Sequence, residues 1–339
     1  MMKVLFLQSA HSEDDDRVWH HQRMTLSKAG IEADVCGVEH FQSWNARHAD
    51  VYQAIIVDTP RALWKVRNTH KTQLVYDITE WYPSKKNLRG LSFPHKYAKA
   101  LLLMLASLWA GARADAFIFG EQDKAKPFKH LFPHKPSLLL PYYPSLTYIY
   151  ITPPKDITKQ CTLLYAGPLT SEKGWDRVKD TVNIVSQRRQ DMQWNMIVIS
   201  PTDCKSAVFP SNVHVITYPR LPFHQFCKTM VQADIMLDLR DNDAENTRCL
   251  PIKLFYYMAC GRLGIYTRLA AIDKQVPEFE TAGDLVASAE QAADRICYYV
   301  AHPNEYSAKC AAARRLSAGK YNWENLERDF VAFINQITH

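Results

Sequence analysis

Most of the short signatures that identify an enzyme chemistry are missing from this chain. It has no HExxH pair, no GxSxG elbow and no GxxxxGK[ST] loop, so zinc-hydrolase, serine-hydrolase and P-loop readings lose their support. The 8 cysteines are scattered without a CxxC spacing, several of them inside apolar runs (Cys36, Cys161, Cys260). That pattern speaks against a zinc site or a disulfide framework and for reduced, buried thiols in a cytoplasmic protein. There is no low-complexity tract and no repeat of solenoid length. Long apolar runs are missing too. The N-terminus, MMKVLFLQSAH, offers only a short apolar run before its histidine, less than a signal peptide's core requires. The longest apolar segment, Ala100 to Ala112, falls short of the ~20 residues that cross a bilayer. No membrane span is expected.

What is present describes an ordinary globular chain of two parts. Its 339 residues, 47% hydrophobic and 22% charged, exceed what one hydrophobic core usually supports, so two domains are expected. Apolar runs alternate with helical patterns throughout. Val4–Leu7, Ala33–Val38, Ala54–Asp58, Leu74–Asp77, Ala116–Phe119 and Ser137–Leu140 read as strands. Arg17–Ala29 and roughly Lys96–Ala112 show helical spacing between them. Proline and tyrosine then crowd together at Pro141-Tyr142-Tyr143-Pro144, followed by Thr152-Pro153-Pro154, a composition break that marks a linker. A second alternation follows in Thr162–Ala166, Met196–Ser200, Val213–Thr217, Ile235–Leu239 and Leu263–Tyr266. Such alternation predicts an α/β protein of two Rossmann-like domains, parallel sheets covered by helices and facing across a cleft. The boundaries expected are 1–145, 146–320 and a closing helical segment 321–339.

Charge is unevenly spread. The net +6 divides into +5 for residues 1–145 (19 Lys+Arg against 14 Asp+Glu) and +1 for the rest (22 against 21). Ser84 to Lys99 holds Lys85, Lys86, Arg89, Lys96 and Lys99 with no acid. This patch suits an anionic lipid surface or a phosphate-bearing acceptor; a solvated loop is the plain alternative. Nucleic acid is not an expected partner, because no binding motif accompanies the charge.

The most informative stretch is ADIMLDLRDNDAENTRCLPIKLFYYMACGRLGI, Ala233 to Ile265. It reads as strand, polar loop, helix, strand, with Pro251 early in the helix and Gly261 just past its end. A helix start beside the C-terminal end of a strand favours anions, through its unpaired N–H groups and its dipole. Lys253 adds a full charge there.

Asn246-x-x-x-Leu250-Pro251-Ile252-Lys253-Leu254-Phe255-x-Tyr257-Met258-Ala259-x-Gly261 resembles the donor-binding segment of retaining glycosyltransferases with the GT-B fold, of the family-4 type. Leu163-Leu-Tyr-Ala-Gly167-Pro-Leu-Thr-Ser-Glu-Lys173-Gly174 resembles the first strand and loop of that family's donor domain. Asp77-Ile-Thr79-Glu80-Trp-Tyr82-Pro83 is similar to its Asp-Val-His-Glu-Asp-Tyr-Pro. The loop from His11 through Asp16 and Arg17 to His21 is similar to a first loop and helix that approach the acceptor. Tyr321-Asn-Trp323-Glu and the amphipathic stretch after it resemble the family's closing helix, which returns to the first domain.

The resemblance implies transfer of a sugar from a nucleoside diphosphate sugar to a glycan or lipid-linked acceptor, as in bacterial surface-polysaccharide assembly. No metal and no cofactor are implied; the nucleotide sugar is a substrate. The donor would be held by Gly167, Lys173, Gly174, Asn246, Leu250, Pro251, Ile252, Lys253 and Tyr256. His11, Asp16 and Arg17 would meet the acceptor, and Glu80 with Thr79 would lie at the reacting centre. A cytoplasmic protein, open to peripheral contact with the inner face of the membrane, fits this activity. Four positions depart from the family: Thr79 replaces a histidine, Pro168 an arginine, and Arg248 and Tyr256 two glutamates. These departures keep open a non-catalytic relative that binds nucleotide sugar or glycan as a partner subunit. A nucleotide-sugar epimerase of the same fold is the third reading, and the basic, apolar segment of the first domain speaks against it. Asp241-Asn242-Asp243 could in principle hold a divalent metal, but two acids in a turn-prone loop are more often plain turn residues.

Overall fold

The structure, a computed structural model, describes residues 2–9, 16–41, 51–66, 71–80, 83, 85–202 and 208–338. The chain divides into two compact units, Met1–Tyr142 with Trp323–His339, and Tyr143–Asn322.

The first unit is built on a six-stranded sheet of β1 (Lys3–Gln8), β2 (Glu32–Gly37), β3 (Ala54–Val57), β4 (Gln73–Ile78), β5 (Ala116–Phe119) and β6 (Ser137–Leu139). Every pairing is parallel, in the order β2-β1-β3-β4-β5-β6. The second unit repeats the plan with β7 (Gln160–Ala166), β8 (Gln193–Ile199), β9 (Val213–Tyr218), β10 (Ile235–Asp238), β11 (Leu263–Thr267) and β12 (Gly283–Val286). Its order is β12-β11-β10-β7-β8-β9, again all parallel. Strands such as β3 and β10 are buried along their whole length, as parallel strands covered on both faces must be. Two Rossmann-like sheets, each flanked by helices, make this the GT-B fold.

Strand β12 escaped the sequence reading. Gly283-Asp284-Leu285-Val286 is neither an apolar run nor an alternation, and at the sheet edge only its ends are buried. The single helix expected over Arg17–Ala29 is also corrected. Asp16–Gln22 forms a π-helical turn, and α1 (Arg23–Lys28) continues from it. The wider turn points Arg17, Val18, His21 and Gln22 inward together, a spacing that fits more than four residues per turn. The same unit also holds α2 (Pro60–Lys65), α3 (Phe93–Arg113) and a C-terminal helix. In the second unit, α4 (Trp175–Arg188) follows β7 and α5 (Lys253–Ala259) follows β10. The C-terminal α6 (Glu327–Thr338) packs Phe330, Phe333 and Ile334 with Val4, Phe6 and Ile56. Just before it, the Trp323 indole donates to Thr25 Oγ1 at 2.9 Å.

His21 stacks on the Trp323 ring, centroids 5.3 Å apart. Burial pushes its pKa down from 6.5 to about 3, with His20 and Arg17 adding repulsion. The unfolded chain therefore takes up a proton below pH 6.5 that the folded chain refuses. Stability from this group is full above that pH and is lost progressively as pH falls toward the folded value. At about 1.4 kcal/mol per pH unit, the loss by pH 5 is roughly 2 kcal/mol. His21→Phe, which keeps a ring on Trp323, is expected to flatten this acid-side slope; urea midpoints at neutral and mildly acid pH measure it. An unchanged slope in the variant would assign the acid sensitivity elsewhere.

Candidate functional site

In open α/β sheets, ligands bind beyond the C-terminal strand ends where the strand order reverses. In the second unit, the chain leaves β7 toward β8 and β9, then returns to place β10 on the other side of β7. The reversal lies between β7 and β10. The loop after β7 carries Gly167 to Gly174, and the segment after β10 carries Arg240, Asn246 and Lys253.

Side chains from both loops converge there on one carboxylate. Asp238, at the end of β10 and buried, accepts two hydrogen bonds from Arg240, Nε to Oδ1 at 2.7 Å and Nη2 to Oδ2 at 2.6 Å. Lys253 Nζ lies 3.7 Å from the same Oδ2. Burial disfavours the charged form of Asp238, but Arg240 and Lys253 outweigh it and hold its pKa below the usual carboxylate value. Lys253 itself has its pKa pushed down by partial burial, against the pull of Asp238 and with repulsion from Arg240 and Lys173. Lys173 completes the cluster, 3.3 Å from Glu172 Oε1 and 3.5 Å from Asn246 Oδ1. Three cations thus stand against two carboxylates, Asp238 and Glu172, and the net positive charge at this strand end favours a bound anion. Lys253 and Lys173 keep 30% and 37% of their side chains exposed, so both reach solvent.

Asn246 is buried and ties the two loops together. Its amide donates to Asp243 Oδ2 at 3.1 Å and to the Glu172 carbonyl at 3.4 Å. Asp243 in turn accepts from the N–H groups of Glu245 and Asn246, the behaviour of a turn-forming aspartate. Asp241 pairs with Arg177 at 3.4 Å. No group of metal-binding side chains occurs among the described residues.

The start of α5 was expected to present free N–H groups, yet Leu254 N–H and Phe255 N–H donate to the Pro251 and Ile252 carbonyls in a tight first turn. Such i→i−3 closure satisfies these two donors at the helix start, so they are not open to a ligand. Leu250 and Pro251 are buried beneath that turn, and Ile252 is exposed. Tyr256 lies in the hydrophobic core, 5% exposed and edge-on to Phe223 at 6.2 Å. An aromatic ring at this position is held by apolar neighbours, where the family's glutamate would have to find solvent or a ligand.

Gly174 is required by the chain itself. It is buried at φ +83°, and a Cβ there would lie 2.5 Å from the Arg240 nitrogen and closer still to the Leu239 carbonyl. Gly167 also has positive φ, +157°, at the first turn out of β7. Gly174→Ala is expected to force the Lys173 loop away from β10, costing about 1–3 kcal/mol from the backbone conformation alone. It should therefore lower the unfolding midpoint and nucleotide affinity together. Wild-type values for both would refute this contact.

The first unit carries its own polar cluster. Thr79 and Glu80 follow β4 and are half-buried. The Thr79 carbonyl accepts from Lys124 Nζ at 2.6 Å, and Lys124 pairs with buried Glu121 at 3.2 Å. Arg17, expected to meet an acceptor, is instead taken up inside: its Nη1 lies 2.7 Å from Asp77 Oδ2, and its guanidinium stands 4.3 Å over the Tyr142 ring. Asp16 turns back on the helix start, accepting from Arg17 N–H at 3.0 Å. His11 lies outside the described residues.

Sequence reasoning missed Asp238, Arg240 and Asp58. For the first two a signal existed, because residues two apart on an extended strand end point the same way. Asp58 follows β3 and accepts from Ser9 N–H and Oγ, at 2.9 and 2.8 Å to its two oxygens. Burial raises its pKa against those hydrogen bonds. It stands where the first sheet reverses order, between β1 and β3.

Residues 177–332 match a family model described as glycosyl transferase-like. No curated protein sequence matches the chain. Among solved structures, sucrose-phosphate synthase from Thermosynechococcus elongatus is similar over 99% of both chains, with TM-score 0.69 and 13% identity. HepE from Anabaena, in complex with UDP-glucose, is similar over 99% of this chain and 100% of its own, with TM-score 0.67 and 14% identity. An alpha-glucosyltransferase in complex with UDP-glucose and DNA containing an abasic site is similar over 99% of both chains, with TM-score 0.64 and 10% identity. At these identities the likeness is one of fold.

Proposed function

We propose that this protein is a retaining, metal-independent glycosyltransferase that moves a sugar from a nucleoside diphosphate sugar to a glycan or lipid-linked acceptor. The observation that carries the reading is the convergence of Lys173, Arg240 and Lys253 on the strand-order reversal between β7 and β10. When the bond between the sugar and its diphosphate breaks, negative charge grows on the leaving phosphate. Fixed cations in a partly dry site stabilise that charge without reorganising. Lys173 and Lys253 would meet the phosphates, while Asp238 and Asn246 hold the cations in place. The new bond forms between the sugar and an acceptor hydroxyl. We assign the proton of that hydroxyl to Glu80, the titratable side chain at the end of β4.

Two of the named similar structures hold UDP-glucose, which makes UDP-sugars the first donors to try. The similar structures range from a sucrose-phosphate synthase to an alpha-glucosyltransferase in complex with DNA, so the acceptor has to be argued from this chain. The basic, acid-free segment beside α3 favours a phosphate-bearing lipid-linked acceptor and peripheral association with the cytoplasmic face of a membrane, in surface-polysaccharide assembly.

A second reading has specific support: a partner subunit that binds nucleotide sugar without turning it over. It draws on Thr79 in place of histidine and on Tyr256, which is held in the core. Thermal shift against UDP-, GDP- and dTDP-sugars, followed by product analysis with polyprenyl-linked acceptors, separates the two. Binding without transfer across all acceptors favours the partner subunit, and the absence of any nucleotide binding refutes both.

A further inference from the structure

Helix α3 is amphipathic the wrong way round for a globular protein. Its buried positions are Ser107, Ala110 and Gly111. Its large apolar side chains point outward: Tyr97 is 62% exposed, Leu101 53%, Leu102 65%, Met104 45% and Leu105 53%. Positions 97, 101, 104, 105 and 108 follow one another at helical spacing, so they form a continuous stripe. This orientation is imposed by packing. A Cβ on Gly111 would meet the Phe132 ring at 2.6 Å and the Phe128 ring at 3.1 Å, so no larger side chain fits inward at that point. Lys135 Nζ caps the end of α3, reaching the carbonyls of Gly111 and Ala112 at 2.9 and 2.6 Å. Beside the stripe, α2 adds Trp64, 71% exposed and packed on Trp109 at 5.0 Å. An exposed apolar face of this extent marks an interaction surface.

Charge identifies what covers it. Residues 81–114 contain no aspartate or glutamate and hold Lys85, Lys86, Arg89, Lys96, Lys99 and Arg113. A second copy docked through the same stripe would bring these like charges together, whereas an anionic bilayer neutralises them. Tryptophan and tyrosine beside leucines, flanked by lysine, is the composition of a helix lying in a membrane interface. No helix among the described residues is long and apolar enough to cross a membrane. We infer that the leucine stripe of α3, with Trp64, inserts into the outer layer of an anionic lipid surface, and that the flanking lysines only steer it there. This deepens the acceptor side of the proposed function, and it is tested with neither donor nor acceptor present, so either can fail alone.

The test is sedimentation of the full chain with phosphatidylcholine vesicles, with and without phosphatidylglycerol, at low and high salt. Wild type is expected to bind anionic vesicles at least tenfold more tightly than neutral ones at low salt. Leu101→Ser with Leu105→Ser, both solvent-facing and so compatible with folding, should lower that binding at least tenfold at low salt and abolish what remains at high salt. Lys96→Gln with Lys99→Gln should lower it at low salt and leave the high-salt remainder unchanged. Leucine variants that bind like wild type would overturn insertion and leave an electrostatic contact alone. Absence of vesicle binding, with self-association in sedimentation equilibrium that the serine variant loses, would overturn it in favour of a second copy. Absence of both would overturn it outright.

Discussion

Lys253→Ala is expected to weaken UDP binding roughly ten- to a hundredfold, the equivalent of a charge-assisted contact of about 1.5–3 kcal/mol. The geometry sharpens this expectation. Lys253 projects from the first residue of α5 and is held 3.7 Å from Asp238 with 30% of its side chain exposed, so its ammonium is positioned before any ligand arrives. Its pKa is pushed down by partial burial, against Asp238 and with Arg240 and Lys173 repelling it. A diphosphate relieves that repulsion, which makes the ammonium a better partner for phosphate than for bulk water. The fold should tolerate the change, because Arg240 still holds both oxygens of Asp238. Calorimetric titration with UDP, beside a melting curve of the same sample, reads both effects. If the variant binds UDP as tightly as wild type, the cluster at the end of β10 is not the diphosphate site. Lys173→Ala should show the same loss in weaker form, since Lys173 is more exposed and is partly offset by Glu172 at 3.3 Å.

The largest effect on stability is expected from Asp77→Ala. Asp77 and Arg17 form an ion pair at 2.7 Å with side chains only 6% and 8% exposed. Removing one partner leaves a buried charge, and such losses run to about 3–5 kcal/mol. The Tyr142 hydroxyl at 3.2 Å, its ring beneath the guanidinium and the Leu140 carbonyl at 3.5 Å still meet Arg17, but none of these three carries the full negative charge that Asp77 supplies at 2.7 Å. Replacing both members, Arg17→Met with Asp77→Leu, should recover most of the loss, because two apolar groups of similar volume need no counter-charge. Urea unfolding of the two variants beside wild type decides it; a single variant within about 1 kcal/mol of wild type would mean the pair stays hydrated. Function should follow stability here. Asp77 sits in β4, two residues before Thr79 and three before Glu80, so a loosened strand end would also slow the transfer assigned to Glu80.

Much of the architecture was legible because parallel strands buried on both faces read as short apolar runs. Ile55, Val57, Ile235 and Leu237 declare themselves in that way, whereas Gly283–Val286 at a sheet edge does not. The loop-and-helix segment around Lys253 was legible for a related reason. Pro251 and Gly261 punctuate the backbone locally, and Gly261 does end the helix at φ +67°. The lysines could be named from sequence because their neighbours in the chain define where they lie.

Other assignments needed the fold. Arg17 reads as an acceptor contact until Asp77, sixty residues away, is brought to 2.7 Å. Tyr256 stands where the family has a carboxylate, and only the packing of Phe223 against it makes it a core residue. Gly174 reads as a donor contact, and its constraint comes from the Leu239–Arg240 backbone. The leucines of α3 carry an ordinary helical spacing, and spacing cannot say which face turns inward. Sequence by itself determined the alternation of elements, the expectation of two Rossmann-like sheets and the excess of positive charge, and it singled out Lys173 and Lys253. Tertiary structure alone decided which charges are neutralised from within, Asp77 for Arg17 and Asp238 for Arg240, and which apolar face is left uncovered. The reason is physical: periodicity and turn chemistry act over a few residues, whereas charge pairing and burial depend on distances that only the folded chain sets.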